Sequence, residues 1–260
     1  MKLSIIVLAG NEAEMIRDCL KSSAFADEII LVLANSSDNT KKIALSLKLP
    51  LKIIETTDEY NRNFSKWRNL GYKAASGDWL LYLDADERIT LELKNEILLT
   101  INTTNLFNYF AIPRANHYLG KRVHFGGSYP DFVKRLYHKK YFFGYQGYLH
   151  EEPIIKGEIG YLKNDLIHFT HRDLNSMLQK TLAWTDMEAE ALFKANHPPV
   201  YWWRFPRMII TKLWQRLIKE QMWRDGIVGW ISVIFESFDT FIIYAKLWEK
   251  QVYDSKSRHL

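Results

Sequence analysis

The chain has 260 residues, a net charge of +5 and a single cysteine, Cys19. This length allows one large domain, or one domain with an appendage, and the aromatic-rich composition excludes a disordered chain. One cysteine excludes an internal disulfide and favours a reducing, cytoplasmic compartment. The excess charge is local, because residues 200–224 alone sum to +5. A nucleic-acid-binding protein would more often spread basic side chains over its main domain, so no nucleic-acid partner is expected.

Short apolar runs alternate with amphipathic stretches along the first hundred residues. The predicted strands span residues 3–9, 28–33, 51–54 and 80–83. The predicted helices span residues 12–22, 41–47, 64–74 and 91–101. Side-chain caps are predicted for the first, third and fourth of them, namely Asn11, Asn63 and Thr90. Such alternation at short spacing predicts an α/β fold with a Rossmann-like, mostly parallel sheet and helices on both faces.

Polar side chains follow three of the predicted strands at the point where each strand ends. They are Asn11 and Glu12 after the first strand, residues 36–38 after the second, and Asp84 and Asp86 after the fourth. Because ligands of parallel sheets bind at the carboxyl ends of the strands, these side chains form one candidate site. The sequence has neither a G-x-G-x-x-G after the first strand nor a GK[ST] loop, which excludes the common dinucleotide and phosphate-loop sites.

The fourth strand delivers two carboxylates, Asp84 and Asp86, to its tip. Unpaired buried carboxylates are costly, so a cation is expected beside them. Carboxylate oxygens suit Mg²⁺ or Mn²⁺, which usually share their ligands with substrate phosphates. The alternative is an acidic loop before a helix capped by Thr90. Glu87 is expected to begin the following turn, where negative charge suits a helix N-terminus.

After the helix that ends at residue 101, one strand is predicted, and residues 114–170 are predicted to form short strands and loops. Alternation at Phe107, Tyr109 and Ala111 predicts a strand that Pro113 ends, and residues 131–137 predict a second strand. This half would supply the acceptor side of a cleft.

The last ninety residues are predicted to be helical. A helix over residues 174–194 is ended by prolines, and residues 200–224 then interleave tryptophan and arginine, which is typical of a helix lying in a membrane interface. Residues 226–248 are mostly apolar, but charged residues interrupt them, so no transmembrane span is predicted. Packing on the catalytic domain or a dimer interface is the alternative for this arm.

Three motifs in order carry a resemblance to a known family. The stretches are SIIVLAGNEAEMIRDCLKS, DEIILVLANSSDNT and FSKWRNLGYKAASGDWLLYLDADE. Together they resemble family 2 glycosyltransferases of the GT-A fold, in particular the bacterial enzymes that add glucose to the inner core of lipopolysaccharide. The resemblance implies a GT-A domain at 1–170, with a nucleotide-sugar half at 1–100 and an acceptor half at 101–170. The helical region at 171–260 follows it, with membrane contact indicated by its tryptophans and arginines.

The resemblance also implies which residues form the site. Those implied to contact the nucleotide-sugar are Ala9, Asn11, Glu12, Asp38, Arg68, Asp84, Ala85 and Asp86. Asp86 would ligate the metal directly, Asp84 would face the ribose or the metal, and His168 would be a third ligand. His171 is the competing histidine; the apolar neighbours of His168 favour His168.

The pair His150-Glu151 matches the His-Glu pair of the family, whose glutamate resembles a general base. Glu151 is therefore the implied base and Glu152 the alternative; an exposed charged turn is the competing interpretation.

The sequence departs from the family at Leu33, where members usually carry the first acid of Asp-Ser-Gly-Ser-Thr-Asp. A leucine cannot accept hydrogen bonds from a base or ribose, whereas the second acid is kept as Asp38.

The implied function is an inverting transfer of a hexose, glucose by resemblance, from a UDP-sugar with a divalent metal. The acceptor would be a glycolipid or oligosaccharide such as the lipopolysaccharide core, met by peripheral contact with the cytoplasmic face of the inner membrane. One alternative is a nucleotidyltransferase, although residues 8–11 carry no cation. Another is a catalytically impaired, membrane-associated scaffold with Leu33 as the lesion. Linkage position and oligomeric state follow from no local pattern.

Overall fold

A computed structural model describes residues 1–57, 63–103, 106–147 and 151–257. The chain forms two compact units. The sheet unit comprises Met1–Ala115 and Pro130–Phe169, and the helical unit comprises Asn116–Tyr129 and Thr170–Leu260. The helical unit therefore takes in residues 116–129 as well as the C-terminal region.

The first half of the sheet unit alternates strands and helices as predicted. Its strands are β1 (Leu3–Ala9), β2 (Glu28–Ala34), β3 (Leu51–Thr56), β4 (Trp79–Asp84) and β5 (Glu87–Ile89). Its helices are α1 (Ile16–Ser22), α2 (Thr40–Ser46), α3 (Phe64–Ala74) and α4 (Leu91–Asn102). The strands β3, β2, β1 and β4 are neighbours in that order, and all three pairings are parallel.

Alternate side chains of these strands enter two cores on opposite faces of the sheet. Ile5 and Val7 of β1 pack in the core that α1, α2 and α4 cover. Ile6 and Leu8 pack in the other core, with Trp67 of α3. Since successive side chains of a strand point to opposite faces, this division places helices on both faces. The predicted α/β class is confirmed.

The second half of the sheet unit adds mainly antiparallel strands. They are β6 (Tyr109–Tyr118), β8 (Asp131–His138), β9 (Phe142–Gln146), β10 (Glu152–Ile155), β11 (Ile159–Tyr161) and β12 (Leu166–Phe169), while β7 (Lys121–Arg122) pairs with the end of β6 inside the helical unit. The sheet continues past β4 in the order β8, β6, β12 and β5, and β10 forms a separate pair with β9. In this way β8 lies directly beside β4.

Two local predictions are confirmed and two are wrong. Asn63 and Thr90 cap α3 and α4 with their side chains, as predicted. Asn11 does not cap a helix, because its side chain bonds the loop after β2 and α1 starts only at Ile16. Pro113 does not end its strand: β6 runs through it to Tyr118.

The helical unit contains three long helices. They are α5 (Leu174–Lys194), α6 (Arg204–Trp214) and α7 (Ile227–Ser257), with a π-helical turn at Gln215–Lys219 and a 3₁₀ turn at Met222–Asp225. Within the part of the chain that the structure describes, Ile227–Tyr253 is the one segment long and apolar enough to cross a membrane by length and composition. Those two properties do not establish a span, because core helices share them.

Candidate active site

The carboxyl ends of β1, β2 and β4 meet at one edge of the parallel sheet, because these strands are parallel neighbours. Ala9 and Asp84 are the last residues of β1 and β4; Ala9 is buried, whereas the side chain of Asp84 is 33% exposed. Ala85 follows directly and is buried, with its amide donating to the carbonyl of Leu8 at 3.1 Å. Polar residues that are distant in the sequence are therefore brought to a single edge.

The loops after β1 and β2 are joined by side-chain hydrogen bonds. Asn11 Oδ1 accepts from the amides of Ser37 at 2.7 Å and Asp38 at 3.3 Å. Asp38 Oδ2 accepts from the amide of Ala13 at 3.1 Å, and the amide of Glu12 donates to Thr40 Oγ1 at 2.8 Å. Burial opposes ionisation of Asp38, but the bonds from Thr40 and Ala13 outweigh it and lower its pKa. These hydrogen bonds hold the loops after β1 and β2 in one arrangement at the edge of the sheet.

Asp84 lies between two buried arginines. Its Oδ1 accepts from Arg68 Nη2 at 3.1 Å, and its Oδ2 accepts from Arg135 Nη2. Burial opposes ionisation of Asp84, but the charges of Arg135 and Arg68 prevail and hold its pKa well below the usual range. Both carboxylate oxygens of Asp84 are thus engaged by cationic side chains.

Arg68 joins Asp84 to the predicted base. Its Nε and Nη2 each lie 3.2 Å from Glu151 Oε1. The guanidinium also lies over the ring of Tyr145, with its central carbon 5.3 Å from the ring centroid, which fixes the side chain further. Asp84, Arg68 and Glu151 therefore form one chain of contacts, although 83 residues separate Arg68 from Glu151. His150, the other half of the predicted pair, lies outside the described residues.

Asp86 and His168 lie side by side. Asp86 Oδ2 is 3.5 Å from His168 Nε2, because β5 and β12 are antiparallel neighbours with Glu87 opposite His168. Among the residues that the structure describes, no group of three or more His, Cys, Asp or Glu side chains is arranged to hold a metal ion. One carboxylate and one imidazole still suit Mg²⁺ or Mn²⁺, because such ions usually take further ligands from water and substrate phosphates. The metal assignment of Asp86, Asp84 and His168 stays a prediction.

Sequence reasoning missed the buried charges behind this edge. Glu87 does not begin a helical turn as expected: it starts β5, is fully buried, and accepts from Arg135 at 2.8 Å. Its other oxygen accepts from the amide of Asp84 at 2.9 Å. The sequence pattern carried no clear signal, because β8 reads DFVKRLYH and Arg135 stands beside other charged residues there.

A cavity of about 410 Å³ opens on these residues. Its lining includes Arg68, Asp84, Arg114, Arg135, Tyr145, Glu151 and Glu152. In the described parts of the chain, Arg68 Nη1 and Arg135 Nε are buried without a hydrogen-bond partner. Buried donors of this kind are costly unless an acceptor is supplied, and an anionic ligand would supply one.

A smaller cavity of about 190 Å³ lies at the ends of β2 and β3. Its lining includes Leu33, Asn35, Glu55 and Thr57. Leu33 is buried, in keeping with its place in the core beneath α1 and α2. The departure from the family at this position therefore lies on a cavity wall that also offers polar neighbours.

Cys19 takes no part in the site chemistry. It is fully buried in α1, and burial raises the pKa of its thiol well above the usual range. A thiol that stays protonated is a poor nucleophile, so Cys19 serves as a packed side chain of the core.

Comparison with known proteins identifies the family. The model of glycosyl transferase family 2 matches residues 4–157, so the chain belongs to that family and has the GT-A fold. The predicted family is confirmed.

Individual relatives of the chain share little sequence identity with it or match only part of it. A TPR repeat-containing protein of Synechococcus elongatus is 36% identical over 97 residues, which are 37% of this chain and 23% of that protein. The lipopolysaccharide core biosynthesis glycosyltransferase LpsC of Rhizobium meliloti is 22% identical over 260 residues, 96% of this chain and 93% of LpsC. Among solved structures, S. aureus TarS 1-349 in complex with UDP-GlcNAc aligns with a TM-score of 0.47 and 16% identity, covering 98% of this chain and 92% of that one.

Proposed function

We propose that the chain is an inverting, metal-dependent glycosyltransferase that moves a hexose, glucose in our proposal, from a UDP-sugar to a lipid-linked oligosaccharide such as the lipopolysaccharide core. The observation that carries the proposal is the contact chain Asp84–Arg68–Glu151 on one cavity, with Asp86 two residues from Asp84 on the same strand tip. Such an edge brings together a carboxylate for a proton, cations for a diphosphate, and ligands for a metal.

The donor nucleotide would bind along the strand ends. Asn11, Glu12 and Asp38 shape the joined loops, while Ala9 and Ala85 would leave space for the nucleotide because their side chains are small. Leu33 offers the nucleoside an apolar contact in place of the usual carboxylate. Oxygen atoms of Glu55 and Thr57, which line the same cavity, are candidates to accept the hydrogen bonds that Leu33 cannot.

The diphosphate would meet the two buried arginines. Arg68 Nη1 and Arg135 Nε have no partner within the described chain, and phosphate oxygens would give them acceptors. Asp86 and His168 would hold a divalent metal together with those oxygens. When bound, such an ion stabilises the negative charge that develops on a departing diphosphate without any proton transfer.

Glu151 would take the proton from the attacking acceptor hydroxyl. An inverting transfer needs one general base and no covalent nucleophile. Glu151 borders the cavity, and its contact with Arg68 fixes its carboxylate next to Asp84. Glu152 borders the same cavity, which makes it the natural comparison.

Substituting the base tests the reaction. Glu151→Gln should lower the rate of acceptor-dependent UDP release by roughly 10²–10⁴-fold, because a general base contributes about that much, and should leave UDP affinity nearly unchanged. Glu152→Gln is the matched control and should keep most of the rate. Full activity of Glu151→Gln, or a larger loss in Glu152→Gln, would show that the proton goes elsewhere.

The sugar and the acceptor are the finer parts of the proposal. A screen of UDP-sugars for metal-dependent donor hydrolysis should single out UDP-glucose; preference for another sugar would correct the hexose without removing the reaction class. A lipid-linked acceptor requires the enzyme to meet a membrane. Peripheral contact with the cytoplasmic face of the inner membrane therefore belongs to the same proposal.

A further inference from the structure

Two neighbouring helices of the helical unit carry large apolar side chains on their outer surface. Helices α6 and α7 pack together, with the rings of Phe205 and Phe241 5.6 Å apart. The exposed apolar residues of α6, of the segments beside it and of the first part of α7 are Tyr201, Trp202, Trp203, Ile210, Trp214, Ile218, Trp223, Ile227, Trp230, Ile234 and Phe238. Trp202 is 80% exposed and Ile234 is 65% exposed. We call this set the apolar surface of the helical unit.

The spacing shows that α7 presents a continuous stripe. Ile227, Trp230, Ile234 and Phe238 follow one another at intervals of three or four residues, so they lie on one side of the helix. Ile210, Trp214 and Ile218 repeat the same spacing along α6 and the π-turn after it. The sequence pointed to residues 200–224 alone; the structure adds the outer stripe of α7.

The polar side of α7 is held inside the helical unit. Glu236 accepts from Arg216 Nε at 2.6 Å, and Asp239 accepts from Thr181 Oγ1 at 2.7 Å. Lys246 Nζ lies 2.8 Å from Asp186 Oδ1. These contacts explain why charged residues interrupt the apolar segment. A helix crossing a bilayer alone would have to give up these partners within the hydrocarbon, at high cost.

The exposed charges around the apolar surface are positive. Arg207, Lys219 and Arg224 are exposed, whereas the nearby acids turn toward partners of their own. Glu220 is paired with Arg216, and Asp225 accepts from the amide of Phe125 at 2.9 Å. A surface of tryptophan and isoleucine with basic side chains at its rim complements an anionic lipid headgroup layer over an apolar interior.

We propose that the apolar surface is the membrane-docking face of this protein, and that α6 and α7 both lie in the plane of an anionic bilayer, with α7 not crossing it. This proposal rests on the membrane contact in the proposed function and names the residues that would make it. It depends only on the helical unit, so a vesicle experiment that measures no sugar transfer can fail while the transfer reaction stands.

Flotation of the full chain with lipid vesicles tests the proposal. The protein should float with vesicles of phosphatidylcholine and phosphatidylglycerol, and far less with phosphatidylcholine alone. The double variant Trp230→Glu with Ile234→Glu should bind the anionic vesicles at least roughly tenfold more weakly, because it places charge in the apolar contact. Leu99→Glu is the matched control: Leu99 is 70% exposed on α4 of the sheet unit and should bind like the parent chain.

A second variant tests the basic side chains at the rim of the apolar surface. Arg207→Gln with Lys219→Gln should weaken binding to anionic vesicles by roughly fivefold for each charge removed, and should not alter binding to neutral ones. Thermal unfolding of each variant should match the parent chain, since all the substituted side chains are on the surface.

Three results would overturn the proposal. One is equal flotation of the Trp230→Glu/Ile234→Glu variant and the parent chain. Another is bound protein that resists extraction by alkaline carbonate, because an in-plane helix should be released and a crossing helix should not. The third is a dimer in lipid-free solution that the same double variant dissociates, which would assign the surface to a second copy of the chain.

Discussion

The two units place their charged and apolar residues in opposite ways. In the sheet unit the large apolar side chains of β1, β2 and β4 are buried, and charged side chains are drawn inward to one edge. Arg68 and Arg135 are almost fully buried there. In the helical unit a described buried apolar cluster contains Ala189, Val200 and Leu247, and tryptophans such as Trp202 and Trp230 are exposed on the surface.

This difference shows where to look for function in each unit. Burying charge is costly, so a cluster of buried arginines and carboxylates at a strand edge marks a place built for a polar ligand. Exposing a row of tryptophans is also unusual for a soluble surface, so it marks a place built for an apolar environment. The proposed chemistry and the proposed docking face follow from these two departures from ordinary burial.

The largest effect is expected where a buried cation is removed from the sheet unit. Arg135→Met should destabilise the fold by roughly 3–5 kcal/mol, because it leaves Asp84 and Glu87 without their main counter-charge. Urea unfolding followed by circular dichroism measures this. Lys41→Met, which breaks the exposed pair with Glu55, is the control and should cost less than about 1 kcal/mol. Equal losses in both variants would contradict the buried network.

A smaller loss is expected where α3 touches the sheet. A Cβ on Gly71 would lie 2.3 Å from Ile6 Cγ2, so Gly71→Ala should cost about 1–3 kcal/mol through overpacking. The neighbouring exposed Lys73→Ala should change the free energy of unfolding by less than about 0.5 kcal/mol. A stabilised Gly71→Ala variant would mean that the helix can move away from β1 without loss.

The smallest effect is expected on the apolar surface. Trp202→Ser should change the free energy of unfolding by less than about 0.5 kcal/mol, because that ring is 80% exposed. The same change at Trp79, which is 2% exposed in β4, should cost about 3–5 kcal/mol. Similar changes in the free energy of unfolding at the two positions would contradict the difference in burial between the units.

The sequence predicts the elements of the sheet unit well, because each strand and helix there has a local pattern. The sequence places the end of β4 correctly, and the caps Asn63 and Thr90 are predicted from the residues that directly follow them. Asn11 has the right residue type for a cap, but a better partner lies in a different loop.

The charge network could not be predicted in the same way. Arg135 meets Asp84 across 51 residues and Glu87 across 48, since β8 lies beside β4. No spacing rule connects such positions; only the pairing of strands does. For the same reason the adjacency of Asp86 and His168 rested on a family resemblance before the structure showed β5 beside β12.

Calorimetry with UDP and Mn²⁺ tests the central claim most directly, namely that the strand edge binds a nucleotide diphosphate through a metal held by Asp86 and His168. The parent chain should bind UDP much more tightly with Mn²⁺ than with a chelator. Asp86→Asn should lose that metal-dependent gain, while Asp78→Asn, at an exposed position just before the opposite end of β4, should keep it. UDP binding that is equal with and without Mn²⁺, or unchanged in Asp86→Asn, would contradict the account.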